Sequence, residues 1–294
     1  MTVRGLVDYH LHTSTSTDGH ATVEEYCARA DALGLREIAI TNHMNLREEN
    51  YHLTPATMVE VWREIQECRN AYPDLTIRLG IEVDYFDDLS DAIAEALPEY
   101  AEALDRRLDF VMGSAHVLHG VRFASKKQAH KLLVGADPLP IYREYFAMMV
   151  RAVQAGLFDI VAHPDLIKRF SGLHSPAVPF DAYRDAAVAF VEALVKCDVG
   201  IEINVKGLDH PVREIYPSPD LLACYVQAAR AAGNEPVVIL GTDAHRPERL
   251  GTNLDLGVGL LQRAGVHEIT TFDHGHRIPF PLRDYAASLR GEAG

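Results

Sequence analysis

Short apolar runs rich in β-branched residues recur along the chain and alternate with longer amphipathic stretches. Seven runs predict β-strands because each is short, apolar and bounded by polar or turn-forming residues. They are GLVDYHLH, REIAITNH, TIRLGIEVDY, LDFVMGSAH, FDIVAHP, VGIEINV and PVVILGTDAH, beginning at residues 5, 36, 76, 108, 158, 199 and 236. Strands that alternate with helices favour a parallel sheet with crossover connections, either open or closed into a barrel.

Helix signals occupy the gaps between these runs. Thr22 and Glu25 form a capping box and Gly34 is a stop signal, which predicts a helix between them. Pro98 weakens the helix predicted in the third gap. No repeat, low-complexity tract or linker interrupts the alternation, and we expect residues 1–294 to form one domain.

The longest polar connection, residues 119–138, follows the fourth predicted strand and contains Lys126, Lys127 and Lys131. Long connections often cover active sites, so this segment is a candidate lid. A surface insertion whose lysines aid solubility explains the same composition. Both interpretations remain open from the sequence.

The composition limits the class of protein. With 294 residues, 48% of them hydrophobic, the chain can bury a full-size core. Its net charge of −14 disfavours non-specific binding to nucleic acid or anionic lipid. There is no basic leader and no apolar stretch of membrane-spanning length, so we expect no membrane association and a cytoplasmic location. The cysteines have no C-x-x-C spacing and are expected to be reduced packing residues: Cys27, Cys68, Cys197 and Cys224.

Each predicted strand carries metal-binding residues at its C-terminal end. In a closed parallel barrel these ends converge on one face, so residues far apart in sequence can share one site. On the first strand, residues two apart point the same way, which places Asp8 behind two histidines. The strand-end residues are His10, His12, His43, Glu82, His116, His163, Glu202, Asn204, Asp243 and His245.

One histidine at a strand end is usually an ordinary hydrogen-bonded residue, but all seven ends sharing this chemistry indicates a metal site. Histidine and carboxylate ligands without thiolates suit two to three divalent ions such as Zn, Fe or Mn. The remaining histidines give weaker signals: solvent-facing positions are predicted for His52, His130, His210 and His267, whereas His20, His119, His174, His274 and His276 are ambiguous. DHGHRIPF, from residue 273, is either a second metal patch or, as we favour, a barrel-closing tail that touches substrate.

With these residues assembled, the chain resembles the polymerase and histidinol phosphatase (PHP) family of metal-dependent phosphoesterases along essentially its whole length. The similar motifs are DYHLH, TNH, GIE, AHP and GTDAH, and the stretches GSAHVLHG and AHPDLIKRF look most like the stand-alone histidinol-phosphatase branch. The resemblance implies a distorted (β/α)7 TIM-like barrel with a trinuclear metal centre at the C-terminal ends of the strands.

The resemblance also implies which residues hold the metals. Three overlapping groups are expected: His10, His12, Glu82 and Asp243 for one ion; Glu82, as a bridge, with His116 and His163 for a second; and Asp18, His43 and His245 for a third. Among these, Glu82, Asp243 and His245 are expected to take part in catalysis. Asn42 stands where the family usually has an acid, so it can hydrogen-bond but adds no charge.

The implied chemistry is attack by a metal-activated hydroxide on phosphorus, with no protein nucleophile. No Ser or Cys motif for covalent catalysis competes with it. Arg and Lys suit phosphate recognition, and a carboxylate or amide could contact the rest of the substrate. The candidate substrate-binding residues are Lys168, Arg169, His119, Glu202 and Asn204.

The hypothesis is therefore a phosphomonoesterase that hydrolyses L-histidinol phosphate, a small phosphorylated substrate, in histidine biosynthesis. A PHP-family phosphodiesterase, nuclease or nucleotide phosphoesterase is the alternative within catalysis, and the acidic balance counts against long nucleic acid. A non-catalytic metal-binding module is the alternative outside it. Such a module would have no need of three open-sided metal sites.

Overall fold

A computed structural model describes residues 3–48 and 51–282 and shows a nearly closed parallel barrel. All seven predicted strands are present, in the spatial order of the sequence. The barrel strands are β1 (Val7–Leu11), β2 (Glu37–Ile40), β4 (Thr76–Asp84), β5 (Phe110–Ser114), β8 (Ile160–Val161), β9 (Gly200–Asn204) and β10 (Val238–Gly241), and the short β3 (His43–Met44) also pairs with β4. The predicted (β/α)7 TIM-like barrel is confirmed.

The barrel closes between its first and last strands. Leu11 and Ala244 form a parallel bridge. The Ala244 backbone N–H donates to the His10 carbonyl at 3.1 Å, and its carbonyl accepts from the His12 N–H at 2.9 Å. Buried Asp8 reinforces the junction by accepting hydrogen bonds from the Thr242 N–H at 2.9 Å and hydroxyl at 2.6 Å. The closed alternative of the sequence prediction is therefore correct.

Helices follow the strands and pack around the barrel with their apolar faces inward. Helix α1 begins with the predicted capping box at Thr22 and ends at Gly34, whose φ of 67° suits glycine. Pro98 does not interrupt α3, because Pro98 is exposed while Tyr100 and Leu104 hold the helix in the core. The helices are α1 (Val23–Leu33), α2 (Pro55–Ala71), α3 (Ser90–Leu104), α4 (Lys126–Leu133), α5 (Pro138–Gln154), α6 (Phe180–Cys197), α7 (Pro219–Ala231) and α8 (Leu254–Arg263).

The segment at residues 119–138 is folded. It contains part of the hairpin β6 (Val117–Leu118) and β7 (Val121–Arg122), followed by α4. Phe123 and Leu133 anchor it in the core. Ala124 and Ser125 line the cavity at the C-terminal ends of the strands. The start of the segment therefore contributes to the wall of that cavity, whereas Lys126, Lys127 and Lys131 are exposed.

The tail at residue 273 lies at the other end of the barrel. It belongs to the hairpin β11 (Glu268–Asp273) and β12 (His276–Pro281), in which Phe272 stacks on Phe110 with ring centroids 5.2 Å apart. The hairpin also donates from the Gly275 N–H to the carbonyl of Asp109, the residue before β5, at 2.9 Å. The tail closes the barrel as predicted, but at its N-terminal end, and the prediction that it touches substrate is wrong.

The alternative of a second metal patch in this tail is also disfavoured. Asp109, Asp273 and His274 lie close enough together to hold an ion. Both carboxylates, however, already pair with guanidinium groups: Arg106 contacts Asp109 at 2.8 Å and Arg78 contacts Asp273 at 2.7 Å. These positive charges neutralise the cluster, so it lacks the free negative charge that would favour a cation.

Two further predictions can be checked against the fold. No helix within residues 3–48 and 51–282 is long and apolar enough to cross a membrane. All four cysteines are free, and Cys27 and Cys68 are buried packing residues. Cys197 is exposed, so the packing role predicted for it is wrong.

Candidate metal centre

The first cluster joins β1 to the ends of β4 and β10. His10 and His12 project from β1 with their Nε2 atoms 3.0 Å apart. Glu82 Oε2 lies 3.3 and 3.4 Å from those two nitrogens, and Asp243 Oδ1 lies 3.9 and 3.5 Å from them. Four ligand atoms thus face one point, an arrangement suited to a divalent cation.

The second cluster uses the other oxygen of the same glutamate. Glu82 Oε1 is 3.0 Å from His163 Nε2 and 3.8 Å from His116 Nε2. His116 and His163 follow β5 and β8, the next two strands after β4 in the barrel. The two carboxylate oxygens of Glu82 therefore face two different histidine groups, which is the geometry of a bridging ligand.

The third cluster lies nearest the solvent. Asp18 Oδ2 is 3.1 Å from His245 Nε2 and 3.7 Å from His43 Nε2. His12 lies within reach of the same group, and its ring stacks on that of His43 with centroids 4.2 Å apart. Asp18 and His245 are partly exposed, whereas the residues of the other two clusters are almost fully buried except for Asp243. This cluster forms the floor of an open cavity.

The two central carboxylates, Glu82 and Asp243, are held in their ionised form. Burial alone would raise the pKa of the Glu82 carboxyl, but the charges of His43 and His10 hold it well below its usual range. Burial opposes ionisation of Asp243 in the same way, and Lys206 and His10 keep its pKa low. Both carboxylates are therefore ionised at neutral pH and available as ligands.

Three buried polar atoms of the metal-binding residues have no hydrogen-bond partner within the described residues. They are His12 Nδ1, His163 Nδ1 and Asp18 Oδ1, and all three are buried. Buried polar atoms without partners are costly, so a native site normally satisfies them with another group. The fit to divalent ions is shown by the two Nε2 atoms of His10 and His12, which face each other at 3.0 Å and lie 3.3 and 3.4 Å from Glu82 Oε2.

Comparison with known proteins agrees with this geometry. The sequence profile of the PHP domain matches residues 8–206. The chain belongs to the PHP domain family. A "Probable histidinol-phosphatase" of Deinococcus radiodurans is 28% identical over 271 residues, covering 90% of this chain and 96% of that protein. A "Histidinol-phosphatase" of Lactococcus lactis is 23% identical over 272 residues, covering 90% and 94%.

The fold of this PHP protein also has a solved counterpart. The crystal structure of histidinol phosphate phosphatase from Lactococcus lactis, complexed with Zn, L-histidinol and phosphate, superposes with a TM-score of 0.78 at 22% identity. The match covers 93% of this chain and 98% of that one. The predictions of a PHP barrel, of an enzyme of the metal-dependent phosphoesterase class and of divalent metal cofactors are confirmed.

In this PHP barrel a buried carboxylate stands behind each of two histidine ligands. Glu202 Oε1 accepts from His10 Nδ1 at 2.8 Å, and its Oε2 accepts from the His163 backbone N–H at 2.8 Å. Asn204 donates to the same Oε2 at 3.1 Å. Glu202 and Asn204 are fully buried, so their predicted contact with substrate is corrected to support of the metal ligands.

Asp84 is the second supporting carboxylate and was not predicted from the sequence. Its Oδ1 accepts a short hydrogen bond from His116 Nδ1, and its Oδ2 accepts from the Asn45 amide at 2.5 Å. Such a carboxylate orients a ligand ring so that its other nitrogen faces the metal. A signal did exist: Asp84 lies two residues after Glu82 on β4, so it points to the same side.

Asn42 supports the loop that carries Asp18. Its Oδ1 accepts from the Thr13 N–H at 2.8 Å and the Ser16 hydroxyl at 3.1 Å. The Ser16 oxygen in turn accepts from the His43 N–H at 3.4 Å. Asn42 therefore acts through hydrogen bonds alone, which agrees with the expectation that it contributes no charge.

A cavity of about 300 Å³ opens over the metal centre. Arg169 is mostly buried in its wall, and its Nε has no hydrogen-bond partner within the described part of the chain. Arg122 also lines the cavity, but its guanidinium group already forms a bidentate pair with Glu48. The lining residues are Asp18, His43, Tyr51, Glu82, His116, Arg122, Ala124, Ser125, Arg169, Lys206, Asp243 and His245.

Three predicted positions do not face this cavity. Lys168 is buried away from it, with its Nζ 2.6 Å from Glu214 and 2.9 Å from Asp165. His119 pairs with Glu144 at 2.7 Å in a separate surface depression. Contact of Lys168 and His119 with substrate is therefore not supported. His210, predicted to face solvent, is buried and bonded to the Tyr216 hydroxyl at 2.9 Å.

Proposed function

We propose that this protein is a phosphomonoesterase that hydrolyses L-histidinol phosphate to L-histidinol and phosphate. The observation that carries the proposal is the convergence of nine metal-binding side chains, with Glu82 at their centre, beneath a cavity lined by Arg169, whose Nε has no hydrogen-bond partner within the described residues. Similarity to histidinol-phosphatases over 90% of the chain supports the choice of substrate. The proposed location, consistent with this role, is the cytoplasm.

The side chains of the site have different roles in the proposed reaction. The three ligand groups around Glu82 would hold two to three divalent ions, which when bound supply Lewis acidity and acidify water for in-line attack on phosphorus. Arg169 binds and orients the phosphoryl oxygens through its fork of N–H groups, because it lines the cavity and its Nε has no hydrogen-bond partner among the residues that the structure describes. Glu202 and Asp84 keep the histidine rings in place during turnover.

The size and charge of the site support a small monoester over nucleic acid. A cavity of about 300 Å³ suits one small molecule. A net charge of −14 repels a polyanion. A zwitterionic ester, which carries an ammonium group as well as a phosphate, is repelled less. These two properties disfavour a phosphodiesterase that acts on long strands.

Steady-state kinetics on a panel of phosphate esters tests the proposal. The panel holds histidinol phosphate, serine phosphate, nucleoside monophosphates, a nucleoside 3′,5′-bisphosphate and a short RNA, all with the same metal. We expect kcat/KM for histidinol phosphate to exceed the others by at least ~100-fold, or about 2.7 kcal/mol of discrimination. Preference for the bisphosphate or RNA would overturn the substrate assignment, and activity that survives EDTA would overturn the metal requirement.

A further inference from the structure

Lys206 is a cavity cation that touches two metal ligands. It lies in the turn Val205–Asp209, immediately after β9. Its Nζ donates to Asp243 Oδ1 at 2.9 Å and to the Asp243 carbonyl at 2.7 Å. The same Nζ lies 2.9 Å from His245 Nδ1. The motifs and the strand-end pattern do not include Lys206, yet its side chain is partly exposed in the wall of the cavity.

The contact of Lys206 with His245 Nδ1 and ligation of a cation by His245 Nε2 exclude one another. A lysine ammonium only donates, so His245 Nδ1 must accept and its proton must sit on Nε2, where it points to Asp18 Oδ2 at 3.1 Å. A histidine that binds a cation through Nε2 instead carries its proton on Nδ1, which then donates to the Asp243 carbonyl at 2.9 Å. Lys206 cannot keep its contact with Nδ1 in that state.

Electrostatic repulsion would also favour release of Lys206 when a cation binds. A divalent ion held by Asp243 takes over the negative charge that Lys206 now neutralises, and it repels the ammonium at close range. The flexible four-carbon chain of lysine allows the ammonium to leave without moving the backbone. The cavity is the open space beside it, because Lys206 already lines that cavity.

Arg169 and Lys206 both line the cavity. Burial, followed by the positive charges of these two residues, lowers the pKa of buried His210 to about 3. Two cations that line one cavity favour an anion, whereas Lys168, the neighbour of Arg169 in sequence, is paired with Glu214 and Asp165.

We propose that Lys206 competes with a divalent cation for Asp243 and His245, and that once the cation is bound the released ammonium joins Arg169 in binding the phosphoryl group. The phosphate half of this inference rests on the proposed function. The competition half does not, because it concerns only metal affinity. Lys206 would thus link loading of the metal centre to completion of the phosphate site.

The test compares Lys206→Met, which removes the charge but keeps the length, with Lys206→Arg and with Lys127→Met, an exposed control outside the cavity lining. Zn²⁺ affinity is measured by competition with a chelating dye, and binding of inorganic phosphate to the Zn-loaded protein by calorimetry. We expect Lys206→Met to bind Zn²⁺ more tightly than the parent and phosphate at least ~10-fold more weakly. Lys206→Arg should restore phosphate binding, and Lys127→Met should change neither.

A purely structural lysine predicts a different pattern. Loss of its hydrogen bonds would disorganise Asp243 and His245, so Lys206→Met would bind Zn²⁺ more weakly. That result, an unchanged Zn²⁺ affinity, or phosphate affinity equal to that of the parent overturns the inference. If the parent releases no phosphate from histidinol phosphate, the proposed function fails and the Zn²⁺ measurement alone decides the role of Lys206.

Discussion

Asp84 offers a sharp test of how the protein holds its second metal. The carboxylate is buried behind His116 and accepts from His116 Nδ1, so it sets which nitrogen of the ring faces Glu82. Asp84→Asn keeps the shape and one acceptor oxygen but removes the charge. Asp84→Ala removes the contact and also leaves the Asn45 amide without its 2.5 Å partner.

The magnitudes follow from these contacts. A hydrogen bond to a charged group contributes about 1.5–3 kcal/mol and a neutral one about 0.5–1.5. Asp84→Asn should therefore weaken the binding free energy of the ion held by Glu82, His116 and His163 by roughly 1.4 kcal/mol, which is about tenfold in affinity. Asp84→Ala loses the orientation of the ring altogether, for which about 100-fold is the expected upper range. The graded order is itself part of the prediction.

A titration of Zn²⁺ against a chelating dye resolves the successive binding steps. One step should weaken in the order parent, Asn variant, Ala variant, while the others change little. Asp88→Asn is the control, because Asp88 lies nearby but is exposed and pairs only with Arg47 among the contacts described. Affinities of both Asp84 variants within twofold of the parent, with their folds intact by circular dichroism, would refute the assigned role.

Three other perturbations have defined outcomes. Glu82→Gln removes the bridging charge and should lower kcat more than ~100-fold with the fold retained; near-normal turnover in metal-replete buffer would contradict the bridge. Arg169→Ala should raise KM for a phosphate monoester more than it lowers kcat, and an unchanged KM would remove Arg169 from the phosphate site. His210 has a pKa of about 3 when folded, below the unfolded value of about 6.5, so below pH 6.5 only the unfolded chain gains its proton and stability is lost as pH falls. With metals removed by a chelator, the free energy of unfolding measured in urea should fall between pH 7 and pH 5 by about 2 kcal/mol more in the parent than in His210→Asn. Equal decreases would contradict the burial of a neutral imidazole.

The barrel could be predicted from the sequence because the patterns that indicate its strands and helices are local. A strand in a parallel barrel needs a short apolar run, and a helix such as α1 needs a cap and a stop, all within a few residues. The ligands were readable for a related reason. Parallel strands place their C-terminal ends on one face, so a strand-end residue such as Glu82 or His163 needs only its position in its own strand to be assigned.

The direction in which side chains point within the turns could not be predicted from the sequence. Lys168 and Arg169 are neighbours in the turn Leu166–Phe170, yet one is buried against carboxylates and the other faces the cavity. Glu202 illustrates the same limit on a strand: it ends β9 in the same manner as a ligand, but its carboxylate turns to His10 and the His163 backbone. Apart from Asp165, the partners in these cases lie 39 to 192 residues away in the sequence.

By itself, the sequence determined the order of strands and helices, the face on which the chemistry collects and the residue types available there, since each depends on local periodicity. Only the tertiary structure decided which carboxylates hold metals and which, like Asp84, support ligands. It alone showed that Lys206 reaches Asp243 and His245, and that the hairpin after residue 267 closes the opposite end. The physical reason is closure of the barrel, because side-chain contacts between distant strands exist only once β1 meets β10.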